Sequence, residues 1–304
     1  MKSSLSKFNK NNIFKMLAVD QRNSFKRMLK QSNKRVTPAL IKKVKKQIIT
    51  ALSPYATAVL IDPIYCTNLV KDIKKHCAVL FCLEDSNIQK TKKGYLTKIQ
   101  KGFSVYKAKK LGADAVKLNL YYNPFTDKTI LRKQQELVKK VKKECKKNRI
   151  PFLLEIIVYP FNQSEFEFAI QKPLLVVNSF DEFSKKKYGV DILKLQFPCE
   201  FDFIKEYKKK GKMSVYKKDS CIKMCEIISM VDFPWVLLSA GADMKEFEKK
   251  LKMAIKGGCN GFLAGRAIWK DALKFSSDKK RIKWIKNKGV KNFKKISKIA
   301  EGKR

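Results

Sequence analysis

Short apolar runs alternate with longer amphipathic stretches along the whole chain. The runs KMLAVD (15–20), ATAVLID (56–62), CAVLFCL (77–83), ADAVKLNL (113–120), PFLLEIIV (151–158), DILKLQF (191–197), PWVLLSA (234–240) and NGFLAG (260–265) read as strands. Between them, PALIKKVKKQIITALS (38–53), TKIQKGFSVYKAKKLG (97–112), ILRKQQELVKKVKKECKK (130–147) and DMKEFEKKLKMAIKGG (243–258) carry apolar residues at helical spacing. Several of these stretches end in the Gly that stops a helix before a strand. Eight βα units in 304 residues predict an α/β protein, a (β/α)8 TIM barrel in a single domain. The barrel core spans about 13–273 and a basic helix follows at 278–304. A doubly wound open sheet is the alternative, but no GxGxxG follows the first strand. No Pro/Gly/Ser linker, composition break or short-period repeat divides the chain.

The period-two pattern also predicts which residues face inward. In a barrel strand one parity points to the helices and the other to the interior. In DILKLQF, Leu193, Leu195 and Phe197 share the outer face, so Lys194 and Gln196 point inward. The same reasoning turns Lys117 and Asn119 inward in DAVKLNL, Glu155 in PFLLEIIV, and Asp20 at the end of KMLAVD. Four strands thus place one ionisable group each on the interior parity, at or toward the carboxyl ends, where active sites of this fold gather. Unrelated buried ion pairs are the competing reading of these residues.

Composition narrows the chemistry. A single histidine, His76, rules out an HExxH site, a three-histidine metal site and a class II aldolase metal site. A Ser-His-Asp triad could use only His76, which lies in the basic turn KKHC and reads as a surface residue. The eight cysteines are scattered without a CxxC pair, as in a reducing compartment. Cys221 and Cys225 lie one helical turn apart, but without further ligands nearby they predict no zinc site. No run is long and apolar enough to span a bilayer, and MKSSLSKFNKNNIFK lacks a signal-peptide core, so the expected location is the cytoplasm. Neither a metal nor another cofactor is expected.

The formal net charge of +42 is largely lysine, spread over every helical stretch, and reads as a solvated surface. Nucleic-acid or polyanion binding through that charge is the alternative functional class, and a catalytically idle barrel is a further one. The tail DKKRIKWIKNKGVKNFKKISKIAEGKR (278–304) is the best candidate basic patch, yet Ile282, Trp284, Ile285, Val290, Phe293, Ile296 and Ile299 form a stripe suited to packing.

Two lysines and two acids can perform amine chemistry without metal or histidine. A desolvated lysine beside a second cation loses its proton more easily. Its neutral amine can attack a ketone, and the resulting iminium accepts the electrons of a breaking carbon–carbon bond. Lys194 as nucleophile, Lys117 as the cationic neighbour, Glu155 as acid/base and Asp20 as orienting carboxylate fit that scheme. The turns LLSAGAD (237–243) and GFLAGRAIW (261–269), after the seventh and eighth strands, place Ser239, Gly241, Gly265 and Arg266 where barrels commonly bind phosphate.

MLAVDQR (16–22), ALSPYATAVLIDPIYC (51–66), FLLEI (152–156), VDILKLQFP (190–198), PWVLLSAG (234–241) and GFLAGRAIW (261–269) together resemble the class I aldolases that cleave tagatose 1,6-bisphosphate and their relatives that cleave 6-deoxy-6-sulfofructose 1-phosphate. The resemblance runs from about Phe14 to Leu273. It implies a Schiff base on Lys194, dihydroxyacetone phosphate as one product, a sugar phosphate as substrate, and a homo-oligomer, dimer or tetramer. It also matches Glu155 to the fifth-strand acid, Lys117 to the fourth-strand lysine, Asp20, Gln21 and Arg22 to the AxDQR motif, with Gln21 and Arg22 expected to bind the substrate or its phosphate, and Arg266 to the anion-binding arginine. One departure stands out: Gln196 occupies a position where both branches usually carry Glu. The segment 161–180 is expected to supply a lid or the distal substrate pocket.

Overall fold

A computed structural model describes residues 2–208 and 210–302. All eight predicted barrel strands form, each within its predicted run or within a residue of it: β1 (Phe14–Ala18), β2 (Ala58–Ile61), β3 (Ala78–Cys82), β6 (Ala115–Tyr121), β7 (Phe152–Ile157), β8 (Ile192–Leu195), β9 (Trp235–Leu238) and β10 (Gly261–Ala264). They close in the parallel order β1-β10-β9-β8-β7-β6-β3-β2. The chain forms a TIM barrel. The labels β4 (Gln89–Thr91) and β5 (Gly94–Leu96) belong to a small antiparallel hairpin after β3 that the apolar pattern does not announce.

Parity separates two cores. Met16, Ala18, Leu60, Leu80, Cys82, Leu153, Ile192, Val236 and Leu263 fill the barrel interior, with Phe8 and Phe14 at its floor. Leu17, Val19, Val116, Leu118, Leu154, Ile156, Leu193 and Leu195 face the helices. Small residues such as Ala18, Ala58, Ala78 and Ala115 leave room inside for the polar groups above them.

The crossover helices include α1 (Asn23–Lys30), α2 (Pro38–Leu52), α3 (Val105–Lys110), α4 (Lys128–Asn148), α5 (Glu165–Phe183), α6 (Lys218–Ser229), α7 (Met244–Lys256) and the short α8 (Arg266–Trp269). Thr37, with Pro38 behind it, caps α2, and Asp243 caps α7. One expectation is corrected. The stretch 97–112 is helical only over Val105–Lys110, because Gly102 turns the chain at a φ of 75° and the Ser104 side chain accepts from Lys107 N–H to begin the helix there. Most of the stretch 161–180 is helical. A capping box of Ser164 and Glu167 starts α5, whose Leu175, Phe180 and Phe183 are buried against the barrel.

The basic tail packs as its stripe suggests. Helix α9 (Asp278–Trp284), a single π-helical turn over Ile285–Gly289 and α10 (Val290–Glu301) bury Ile285, Phe293, Ile296 and Ala300. Phe293 meets Phe262 of β10 edge-on at 5.6 Å. Arg281 is fully buried, bonded to the carbonyls of Phe275 and Ser276 and to Asp278. His76 is exposed and all eight cysteines are buried free thiols. No helix among the described residues is long and apolar enough to cross a membrane.

Candidate active site

The four inward-facing ionisable residues meet at the carboxyl end of the barrel, joined by one more. Lys117 Nζ lies 2.9 Å from Asp20 Oδ2, 2.6 Å from Glu84 Oε1 and 2.9 Å from Glu155 Oε2. The other Glu155 oxygen, Oε1, lies 2.8 Å from Lys194 Nζ. Glu155 is the direct register partner of Lys194 on β8 and of Asn119 on β6, so sheet pairing itself sets this bridge. Lys117 and Lys194 are 1% and 4% exposed, which makes an unpaired charge here prohibitive and explains the carboxylates around them.

Charge states follow from this packing. Burial disfavours the Lys117 ammonium, but Asp20, Glu155 and Glu84 outweigh it and raise its pKa well above the ordinary lysine value. Burial likewise works against the Glu155 carboxylate, while Lys117 and Lys194 more than offset it, so its pKa is lowered. Asp20 follows the same pattern and is also lowered. The site therefore holds Lys117 as a fixed cation and Glu155 and Asp20 as carboxylates. Asp20, Cys82 and Glu84 offer ligand atoms within 4.8 Å of one another, but the Lys117 ammonium, bonded to both carboxylates, is the cation they hold.

Glu84 is the functional residue the sequence reading passed over. It lies two residues beyond the end of β3, and Leu80, Cys82 and Glu84 continue the interior parity. Carrying the parity test past the strand's last apolar residue would have found it. Its second oxygen accepts from Asn119 N–H at 2.9 Å. Arg22, expected at a phosphate, is 8% exposed and braces this residue, donating to the Glu84 carbonyl at 2.6 Å and to Gln100 Oε1 at 2.9 Å. Among the described residues its Nε has no hydrogen-bond partner, and neither do the buried Gln21 Oε1 and Asp20 Oδ1. A polar ligand at this end of the site would satisfy these atoms.

The backbone that carries Asp20 is held from behind. Lys45, on α2, donates to the Val19 carbonyl at 2.7 Å and pairs with Asp62; both side chains are fully buried. Asp62 Oδ1 in turn accepts from Ile64 and Tyr65 N–H, and Trp269 Nε1 donates to the Ala18 carbonyl at 3.0 Å. The two carbonyls preceding Val19 and Asp20 are thereby both occupied.

The residues expected at the anion site converge across the mouth. Ser239 starts a turn closed by Ala242 N–H donating to its carbonyl at 2.9 Å. Gly241, at a φ of 81°, lies so close to Arg266 that a Cβ there would meet the guanidinium carbon at 3.1 Å. Gly265 admits no side chain either, since a Cβ would fall 2.3 Å from the Ala18 carbonyl. Lys270, not foreseen, ties the turn down by donating to the Gly241 and Ala242 carbonyls at 3.0 and 3.1 Å. The Arg266 guanidinium makes no hydrogen bond or ion pair with another described residue and is free to hold an anion.

Comparison with known proteins places the chain in a family. The profile of the DeoC/LacD family aldolases matches residues 14–271. Tagatose 1,6-diphosphate aldolase 1 of Enterococcus faecalis is 32% identical over 292 residues, covering 93% of this chain and 89% of that one. Tagatose 1,6-diphosphate aldolase 1 of Streptococcus mutans is 30% identical over 299 residues, covering 95% and 91%. Among solved structures, the fructose-bisphosphate aldolase of Plasmodium falciparum superposes with a TM-score of 0.71 at 13% identity, over 99% of this chain and 94% of that one. A Schiff-base-forming fructose-1,6-bisphosphate aldolase superposes with a TM-score of 0.64 at 14% identity, over 98% of both chains. At such identities the structural likeness speaks for the barrel fold.

Proposed function

The chain belongs to the DeoC/LacD family of aldolases, and from that premise we propose that it is a Schiff-base aldolase cleaving a phosphorylated ketose to dihydroxyacetone phosphate and a three-carbon aldehyde. The observation that carries the reading is the Glu155 carboxylate, with one oxygen 2.8 Å from Lys194 Nζ and the other 2.9 Å from Lys117 Nζ. A tagatose 1,6-bisphosphate-like ketose is the substrate class, as the names of the relatives suggest.

In this mechanism the Lys194 amine attacks the ketose carbonyl carbon, and the carbinolamine loses water to give an iminium. Glu155, beside that nitrogen, passes the proton needed to expel the hydroxyl. The C3–C4 bond then breaks. Its electrons move into the iminium to form an enamine, while the C4 hydroxyl proton goes to a carboxylate and the aldehyde leaves. Protonation of the enamine carbon and addition of water release dihydroxyacetone phosphate and restore the amine. Lys117 keeps its charge throughout, so it stabilises the carboxylates and the oxygens that gain negative charge. Arg266, with the Ser239–Ala242 turn, takes the phosphate of the dihydroxyacetone phosphate half.

Incubation with dihydroxyacetone phosphate and borohydride tests this directly. The expected product is one three-carbon adduct, mapped to Lys194 by peptide mass analysis. No adduct, or an adduct on another lysine, would falsify the mechanism.

A further inference from the structure

The inner wall above the catalytic residues is uncharged on one side of the mouth. On β6 the next inward residue after Asn119 is Tyr121, whose register partner on β7 is Ile157. Just past the end of β8, the next inward residue after Lys194 is Gln196. Tyr121, Ile157 and Gln196 are partly buried and form an arc directly above Glu155 and Lys194.

Two of these present hydrogen-bond donors. Gln196 Oε1 accepts from Val158 N–H at 2.8 Å, which fixes the amide: its oxygen faces the β7 end and its NH2 faces away. That NH2 donates to no described residue, and neither does the Tyr121 hydroxyl. The Tyr121 ring is held against Tyr95 and Tyr159, with centroids 6.1 and 6.5 Å away, and its carbonyl accepts from Gln134 Nε2 at 2.7 Å. Burial, then Glu155, raises the Tyr121 pKa, with Lys117 pulling the other way, so the hydroxyl keeps its proton.

The direction of the substrate follows from the strand order. The anion turns follow β9 and β10, on one side of β8, while β7 and β6 lie on the other. A ketose held by its phosphate at Arg266 and by its carbonyl carbon at Lys194 runs over β7 and β6 if it continues in the same direction. We propose that Tyr121 and Gln196 are specificity-determining residues that donate hydrogen bonds to the oxygens of the aldehyde half of the substrate. This rests on the Schiff-base reading above and extends it to the part of the substrate that leaves as the aldehyde. An arc of neutral donors accepts hydroxyl or anionic oxygens there.

The test runs the reaction in the condensing direction, with dihydroxyacetone phosphate and glyceraldehyde 3-phosphate varied separately. Tyr121→Phe and Gln196→Glu should each raise the KM for the aldehyde on the order of tenfold, as for the loss of one buried hydrogen bond. The KM for dihydroxyacetone phosphate and its borohydride trapping on Lys194 should stay within about twofold of the parent. For Gln196→Glu the aldehyde KM should also fall again as the pH is lowered and the new carboxylate takes up its proton, a response that a merely distorted wall does not give. An unchanged aldehyde KM in both variants, or a rise confined to dihydroxyacetone phosphate, overturns the inference. Failure of trapping in the parent overturns the Schiff-base reading instead, so the two are told apart.

Discussion

Glu155 and Lys194 are register partners on adjacent parallel strands, and their side chains meet at 2.8 Å inside the barrel. The pairing is enforced by the sheet ladder on both sides, not by a flexible loop. A carboxylate so held needs no reorganisation to serve the amine beside it.

Replacing the nucleophile should abolish turnover. Lys194→Ala is expected to lose at least about 10³-fold in kcat, since the other lysine of the site, Lys117, is held by three carboxylates. Glu155→Gln should lose on the order of 10²–10⁴-fold, the range of a missing general acid/base, and should slow Schiff-base formation in single-turnover trapping. Near-parent kcat in either variant contradicts the assignment.

Removing Lys117 leaves Asp20, Glu84 and Glu155 facing one another in a buried space. Lys117→Met should destabilise the fold by about 3–5 kcal/mol, as when one partner of a buried pair is deleted. Urea denaturation measures this, and a change near zero would show that the cluster is not held together by this cation.

The acid limb of stability has a definite sign. Asp20 and Glu155 have pKa values lowered by folding, so the unfolded chain binds their protons more readily. Their contribution is fully present above the ordinary values of 3.8 and 4.5 and drains away as the pH falls below them toward the folded-state values. Thermal melts of parent and Lys117→Met should therefore converge as the solution is acidified through this range. A gap in Tm that stays constant or widens would count against the paired state.

The buried pair of Lys45 and Asp62 behaves as a unit. Lys45→Met alone should cost about 3–5 kcal/mol, whereas Lys45→Met with Asp62→Leu should cost less than the sum of the single changes, because no orphan charge remains. The double variant should still lose activity, since the Val19 carbonyl next to Asp20 loses its donor. Strict additivity in denaturation midpoints would refute the coupling.

At the anion turns, Gly265→Ala forces a Cβ to within 2.3 Å of the Ala18 carbonyl. Overpacking of this kind costs about 1–3 kcal/mol, and here it displaces the strand that carries Asp20. The expected outcome is a lower Tm with a raised KM for dihydroxyacetone phosphate. Gly302→Ala, where the nearest atom lies 3.5 Å away, serves as the control and should leave both unchanged.

Much of this molecule was legible in its residue pattern. A strand repeats every second residue, so apolar Leu193, Leu195 and Phe197 on one face oblige Lys194 onto the other, whatever the neighbours are. The same local rule placed Asp20, Lys117 and Glu155 inside, and eight such runs separated by helices sufficed for the barrel. Closure of the barrel decided the rest. Glu84 lies beyond its strand, where apolar alternation has ended, and only the packing of β3 against β6 carries it to Lys117. Arg22 has the composition of a phosphate ligand, yet burial against Glu84 and Gln100 makes it a brace. Which charges pair, and which donors remain free for a substrate, depends on distances between residues far apart in the chain, and sequence periodicity carries no information about those.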